Sequence, residues 1–268
     1  MLFNDFNYRD KNLSDFNCLI CNFNGNSGVN ITAGSSLSFT SFKQRSNNRF
    51  MIAESKFDQP LSATFQICKN KENGLLSEFD LDEVREITEW LQTEKYFEFQ
   101  PFEEEYDDIF YEGTFTMISP ITFKTKIYGL ELTFMTDSPW AHGKKKTLYC
   151  DFTKDTQYEF ILDTDRIGSC YPLSMSIELK EAGEFLFLNH SEENRIMKIA
   201  NCKENEMIEV DYTNFSIHSS LEHNVERDFN YIFPHLNKSY DSSLNKISCN
   251  RKCLIKLSYF PIRKTVVV

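Results

Sequence analysis

Leu61, Ala63, Phe65 and Ile67 alternate without a break with Ser62, Thr64 and Gln66. A period of two puts all four apolar side chains on one face of an extended segment, the pattern of a half-buried strand. The theme continues at Phe97 and Phe99, at Phe115 and Met117, at Ile121, Phe123 and Ile127, and at Leu130, Leu132 and Phe134. Short aromatic strands at this spacing point to a β-sandwich or barrel and away from alternating βαβ units. The chain has 268 residues, 25 of them Phe and 12 Tyr, so its core is aromatic; an apolar share of 41% excludes a disordered acidic chain.

One segment in this half has a different period. Leu81, Val84, Ile87 and Leu91 recur at three- and four-residue steps with Trp90 beside them, while Asp82, Glu83, Arg85, Glu86 and Glu89 take the other faces. Asp80 and Glu83 have the spacing of a capping box, and acids in the first turn complement the positive end of the helix dipole. The spacing predicts one amphipathic helix packed on a sheet by its Leu/Val/Ile/Trp stripe. Residues 1–50 read as polar and Asn-rich, with short aromatic islands.

Asp137-Ser138-Pro139-Trp140 closes this half, and Gly143 followed by Lys144-Lys145-Lys146 reads as a solvated exit loop. The expected domains are therefore residues 1–145 and 146–268. In the second, Leu173, Met175, Ile177 and Leu179 alternate with Ser174, Ser176 and Glu178, and further strand candidates fall at 185–188, 195–200, 207–212, 215–218 and 253–260. Six to eight short strands with almost no helical signal suit a jelly-roll-like sandwich.

Charge bears on partners. The formal net charge is −11, with −7 in the first 150 residues and −4 in the rest. A nucleic-acid footprint needs clustered Lys/Arg to displace counterions, and this balance argues against one. No run approaches about 18 apolar residues, so no membrane-spanning helix is expected. The start of the chain lacks the basic and apolar pattern of an export signal, which makes reduced thiols in a cytoplasm the expectation.

The search for site chemistry yields little. There is no Gly-rich phosphate loop and no Gly-x-Ser-x-Gly elbow. His142, His190, His218, His223 and His235 form no His-x-x-x-His pair and are assigned to the surface or to strand ends. Asp163, Asp165 and Gly168 fail as a calcium loop, because Ile167 and Ser174 stand where oxygen ligands belong. Cys18 and Cys21 with Cys249 and Cys253 offer four thiolates for zinc, but from opposite ends of the chain, and no metal or cofactor is expected. The sharpest local feature is acidic: Glu103, Glu104, Glu105, Asp107 and Asp108 around Tyr106. Paired catalytic carboxylates need neighbours that drive their pKa values apart, and this run contains no basic partner. No enzyme emerges.

The order of features resembles the distal tail proteins of long-tailed bacteriophages, the siphovirus-type tail component family often called Dit. An Asn/Phe-rich start (Phe3-Asn4-Asp5-Phe6) leads to a small-residue turn at Ala33-Gly34-Ser35, the 62–67 strand and the capped helix ending Glu89-Trp90-Leu91. A strand at 96–99 and a hairpin at 106–115 follow, and the half ends on Gly129-Leu130-Glu131-Leu132-Thr133-Phe134 and Ser138-Pro139-Trp140. The second half is similar through residues 206–212, 231–236, 244–247 and 259–263; it departs at Tyr240-Asp241-Ser242-Ser243-Leu244, where relatives often carry a Gly-rich turn.

The resemblance implies a mainly β protein: an N-terminal β-sandwich or barrel with one packed helix, and a C-terminal galectin-like (jelly-roll) sandwich. It implies a structural role in the virion, as a hexameric ring at the tail tip. That ring would sit between the tube and the tail-associated hub protein, with receptor-binding or other baseplate proteins docking outside and DNA passing without specific binding. Synthesis and assembly would take place in the host cytoplasm. The plain reading of the 103–108 acids is a solvated hairpin tip between Phe99 and Ile109; acidic walls would repel phosphate, so within such a ring the same acids are candidates for its lumen or rim, the alternative being an outward-facing loop. The competing expectation is a carbohydrate-binding module for host-surface saccharide, with Tyr171, Tyr212, Tyr231, Tyr240 and Tyr259 as stacking candidates.

Overall fold

In the computed structural model the described residues are 3–23, 37–43, 49–57, 59–70, 76–102, 108–192 and 195–264. The chain divides into two units, Met1–His142 with Lys264–Val268, and Gly143–Arg263. The fold is mostly β, as the alternation predicts.

In the first unit, β1 (Asp5–Tyr8), β2 (Lys11–Asn12), β3 (Cys18–Cys21), β4 (Leu37–Lys43), β5 (Phe50–Phe57), β6 (Ser62–Asn70) and β7 (Leu76–Ser77) precede helix α1 (Leu81–Leu91). After it come β8 (Phe97–Phe102), β9 (Ile109–Phe123), β10 (Lys126–Thr136) and β11 (Ala141–Gly143). Antiparallel pairing gives the order β2-β1-β8-β9-β10-β6-β3, with β7 on β6. Among the described residues the sheet does not close into a barrel; β2 and β3 remain its two ends. It nonetheless curls over one core. Phe6 of β1 and Phe65 of β6 have three strands between them in the order, yet their rings are 5.8 Å apart. Phe99, Phe115 and Phe134 fill the space between them at 4.5–6.1 Å. Edge-to-face and tilted pairs of this kind are favourable beyond their area burial.

Helix α1 forms as its local signals dictate. The Asp80 side chain accepts from the Glu83 N–H at 2.8 Å and Glu83 reaches back to the Asp80 N–H at 3.0 Å. Ile87, Trp90 and Leu91 are buried, and the Trp90 indole donates to the Tyr8 carbonyl at 2.8 Å. Leu81 departs from the expected stripe and is 78% exposed. Phe79, just ahead of the cap, is buried instead and bridges to Ile127, taking the anchoring position of a hydrophobic staple. Tyr8 is fully buried with its hydroxyl satisfied, donating to the Gly113 carbonyl at 3.2 Å and lying 2.9 Å from the Thr93 hydroxyl.

The second unit begins with β12 (Lys146–Asp151), β13 (Gln157–Ile161), β14 (Gly168–Cys170), β15 (Ser174–Leu179), β16 (Gly183–Asn189) and β17 (Ile196–Cys202). It continues with β18 (Met207–Asp211), β19 (Ser216–Ser219), a four-residue helix α2 (Val225–Asp228), β20 (Leu236–Lys238), β21 (Leu244–Cys249), β22 (Cys253–Tyr259) and β23 (Ile262–Arg263). One sheet runs β12-β22-β15-β18-β19 and the other β13-β21-β16-β17. Their inward side chains, among them Met175, Ile177, Ile208, Val210 and Ile255 from the first and Phe185, Phe187, Met197, Ile199 and Ile247 from the second, form a single core. That is a β-sandwich. The expected exit loop at the lysines holds for Lys144 and Lys145, but Lys146 opens β12 and pairs with Asp163. Asp163 in turn accepts from Nη1 and Nη2 of Arg263, each at 2.7 Å, which holds its carboxyl well below the usual range.

Candidate assembly surface

Strands β4 and β5 form a sheet of their own, off the main sheet of the first unit. Their register runs Leu37 with Phe57, Phe39 with Ser55 and Thr40 with Glu54, then slips so that Ser41 faces Ile52 and Lys43 faces Phe50. The slip is a β-bulge at Ala53, and it decides the chemistry. Residues directly opposite each other share a face. Without the extra residue, Ile52 and Phe50 would fall opposite to Leu37 and Phe39; with it, all four join one side. All four are exposed, Phe50 by 70%. The reverse side carries Ser38, Thr40, Glu54 and Lys56, with Phe42 and Met51 at its end. Phe57 anchors the base of the hairpin, its ring 4.2 Å from Trp140. An isolated two-stranded hairpin is marginal in water, and an uncovered apolar face on it marks a docking surface.

Residues 1–50 are polar with aromatic islands in the sequence, and nothing local in them announces this hairpin. Leu37-Ser38-Phe39-Thr40 alternates only briefly, the bulge breaks the alternation on β5, and the exposed side chains belong to no core of the chain itself.

The expected acidic site is represented in part. Glu103, Glu104, Glu105 and Asp107 lie outside the described residues; Asp108 is exposed directly ahead of β9. A separate acidic grouping stands nearby in the sheet. Glu98 of β8 faces Glu112 of β9 directly. Burial, then Glu112 and Asp10, pushes the Glu98 carboxyl up, and burial and Glu112 push Asp137 up as well. Four residues so distant in sequence leave no local pattern to read.

The histidine expectation needs correction at His223, which lies at neither the surface nor a strand end, while His235 sits at a strand end, directly ahead of β20, but away from solvent. The His223 and His235 side chains are largely buried. His223 donates from Nδ1 to Glu206 at 2.6 Å and from Nε2 to Asp228 at 3.1 Å. Glu206 is fully buried and also accepts from the Ser219 hydroxyl at 2.5 Å and the Lys203 N–H at 2.7 Å. His235 pairs with Glu192 at 2.5 Å. Both histidines are held by carboxylates brought up by strand ends, which spacing rules for metal ligands do not detect. Among the described residues no three His, Cys, Asp or Glu side chains are grouped to hold a metal.

Of the tyrosines expected to stack on sugar, Tyr212 and Tyr259 are buried in the sandwich core, while Tyr171, Tyr231 and Tyr240 are exposed. Tyr149, which is not among those five, is exposed on the outer face of the β12-β22-β15 sheet. It borders a groove of about 400 Å³ with Leu254, Met207, Ser176, Glu178 and Lys256.

Comparison with known proteins settles the family. The sequence matches the phage tail protein N-terminal domain over residues 1–138 and the phage tail C-terminal domain over residues 140–259. The chain belongs to the phage tail protein family. No curated protein matches it by sequence. Among solved structures it is similar to the Dit protein of phage SPP1, described as a paradigm of the hub adsorption apparatus in phages infecting Gram-positive bacteria. There the identity is 10%, the TM-score 0.68, and 97% of this chain and 99% of that one are covered. It also matches a chain of the phage P2 baseplate in its activated conformation with Ca, at 11% identity and a TM-score of 0.46, over 97% and 98% of the two chains. This tail protein thus has the fold of a distal tail protein, as its sequence resemblance implies. Phage tail proteins are virion components.

Proposed function

We propose that this tail protein is the distal tail, or baseplate hub, protein of a long-tailed phage or prophage. The first unit assembles a six-membered ring at the tail tip, between the tube and the tail-associated hub protein. The second unit offers surfaces to receptor-binding or other baseplate proteins. The observation that carries the reading is the β4–β5 hairpin, whose bulge gathers Leu37, Phe39, Phe50 and Ile52 on one uncovered face. Covering that face with a second copy in head-to-tail order gives each copy one donor and one acceptor surface, and the chain of copies closes into a ring where the rotation between neighbours divides a full turn. The number six is what the resemblance of the sequence to the distal tail proteins implies. The acidic run ending in Asp108 rims the channel in this proposal, and the −11 charge suits a passage that lets DNA slide without holding it.

Native mass spectrometry and light scattering test the ring. The full chain is expected to give six copies, and Phe39→Asp with Ile52→Asp is expected to weaken association by at least about 100-fold while leaving the circular dichroism spectrum intact. A double variant that assembles like the parent overturns the role of the hairpin. A hexamer with the acidic run on its outer perimeter overturns the lumen assignment.

A second reading has one observation behind it, the Tyr149 groove. An exposed aromatic ring beside Ser176, Glu178 and Lys256 suits a saccharide that stacks one face and hydrogen-bonds its edge. Binding on a glycan array that disappears in Tyr149→Ala supports this reading, and an array without hits removes it.

A further inference from the structure

The second unit holds two thiols in contact across a boundary between its sheets. Cys249 ends β21, in the four-stranded sheet, and Cys253 opens β22, in the five-stranded one. Their sulfurs are 3.5 Å apart. A disulfide is about 2.05 Å long, so closing the gap calls for about 1.5 Å of movement. The three residues between them are pinned. The Asn250 side chain accepts from the Leu186 N–H at 2.7 Å and donates to the Glu184 carbonyl at 3.0 Å, while Arg251 Nε donates to the same carbonyl at 3.2 Å. Gly183 makes room for this arrangement: it sits at φ +126, and a Cβ there would lie 2.6 Å from the Arg251 guanidinium. The turn therefore holds the two thiols in place before any reaction.

We propose that Cys249 and Cys253 are a disulfide-forming pair that staples the two sheets of this sandwich together when the protein meets a low-molecular-weight disulfide. The Cys249 thiolate attacks one sulfur of a disulfide such as oxidised glutathione, breaking its S–S bond and releasing one thiolate. Cys253 then gives up its proton, and its sulfur displaces the second glutathione thiolate from Cys249. The protein loses two hydrogens and the small disulfide becomes two thiols. The order follows from access and charge. Cys249 is slightly exposed and Cys253 fully buried. The contact with Cys253 pulls the Cys249 thiol down against its own burial and pushes Cys253 up. A virion component passes from a reducing cell to oxidising surroundings, where the staple forms without an enzyme.

The test uses the full reduced chain, with its eight thiols, equilibrated with reduced and oxidised glutathione under native conditions. Acid quenching, differential alkylation and peptide mapping then locate each bond. The expected result is a loss of two thiols mapped to a Cys249–Cys253 link, a mass lower by two hydrogens, and a melting transition raised on the order of 5 °C and returned by dithiothreitol. Cys249→Ser and Cys253→Ser are each expected to abolish the shift. A Cys249–glutathione adduct that never resolves overturns the proposal, as does thiol loss confined to other pairs such as Cys21 and Cys68. Full retention of both thiols does the same. The mapping of the parent chain stands even where a serine variant folds poorly.

Discussion

Replacing His223 with Gln keeps most of the side-chain volume and removes the cation that bridges Glu206 and Asp228. Breaking a buried ion pair from one side costs about 3–5 kcal/mol, because the remaining charge stays out of water. Glu206 keeps the Ser219 hydroxyl and the Lys203 N–H, which places the loss at the lower end, about 3 kcal/mol, or about 10 °C in the melting of a unit this size. The dependence on pH is more diagnostic. Burial alone pulls His223 down, but its bonds to Glu206 and Asp228 outweigh that and leave it above its ordinary 6.5. The folded form binds this proton more tightly than the unfolded one. Its contribution is therefore complete below pH 6.5 and disappears as the pH rises through the folded value. Burial raises Glu206, yet its hydrogen bonds leave it net below the ordinary 4.5. The carboxylate side of the clasp accordingly fails only in more acidic solution. Cys202, pushed up to about 12 by burial and by Glu206, stays neutral across this range. Thermal melts of parent and His223→Gln, compared from about pH 5.5 to about pH 9, should show a wide gap at the acid end that narrows toward the alkaline end. A constant gap refutes the reasoning, since a packing role alone carries no titration.

Other perturbations follow from single contacts. A Cβ on Gly113 would lie 2.4 Å from the Phe134 ring and 2.5 Å from the Met135 carbonyl oxygen, so Gly113→Ala should destabilise the first unit by about 2–3 kcal/mol in urea titrations. Asp80→Ala removes one half of the capping box and should cost about 1 kcal/mol, with fraying of the first turn of α1 visible as faster amide exchange. Asp163→Asn cuts the grip of Arg263 on the second unit. Because the Asp163 carboxyl is held down when folded, denaturant midpoints should differ at neutral pH and converge as the pH falls below the usual carboxylate range.

Local signals in the sequence were faithful guides where structure is local. The capping box at Asp80 and Glu83 and the 62–67 alternation are read from neighbours in the chain, and both appear as expected. Leu81 shows the limit of such reading: its spacing fits the stripe, but the burial it was expected to have falls to Phe79, outside the periodic pattern. The β4–β5 surface escaped detection because one extra residue, Ala53, changes which side chains share a face. The Glu206–His223 clasp joins residues 17 apart through the β18–β19 hairpin and the turn into α2, and no spacing rule covers that geometry. Glu98 and Glu112 face each other only because β8 and β9 pair in one particular register.

The path of the chain has a consequence for how such proteins diversify. The second unit is entered at Gly143 and left at Arg263, after which Lys264 rejoins the first unit, its ammonium over the Trp140 ring. Entry and exit are adjacent, with the Gly143 N–H donating to the Pro261 carbonyl at 2.7 Å. A segment whose two ends meet in this way is a cassette: it can be exchanged for another with similarly spaced ends without moving the strands that receive it. The unit that carries the hairpin can thus keep its strands while the sandwich inserted between Gly143 and Arg263 is replaced.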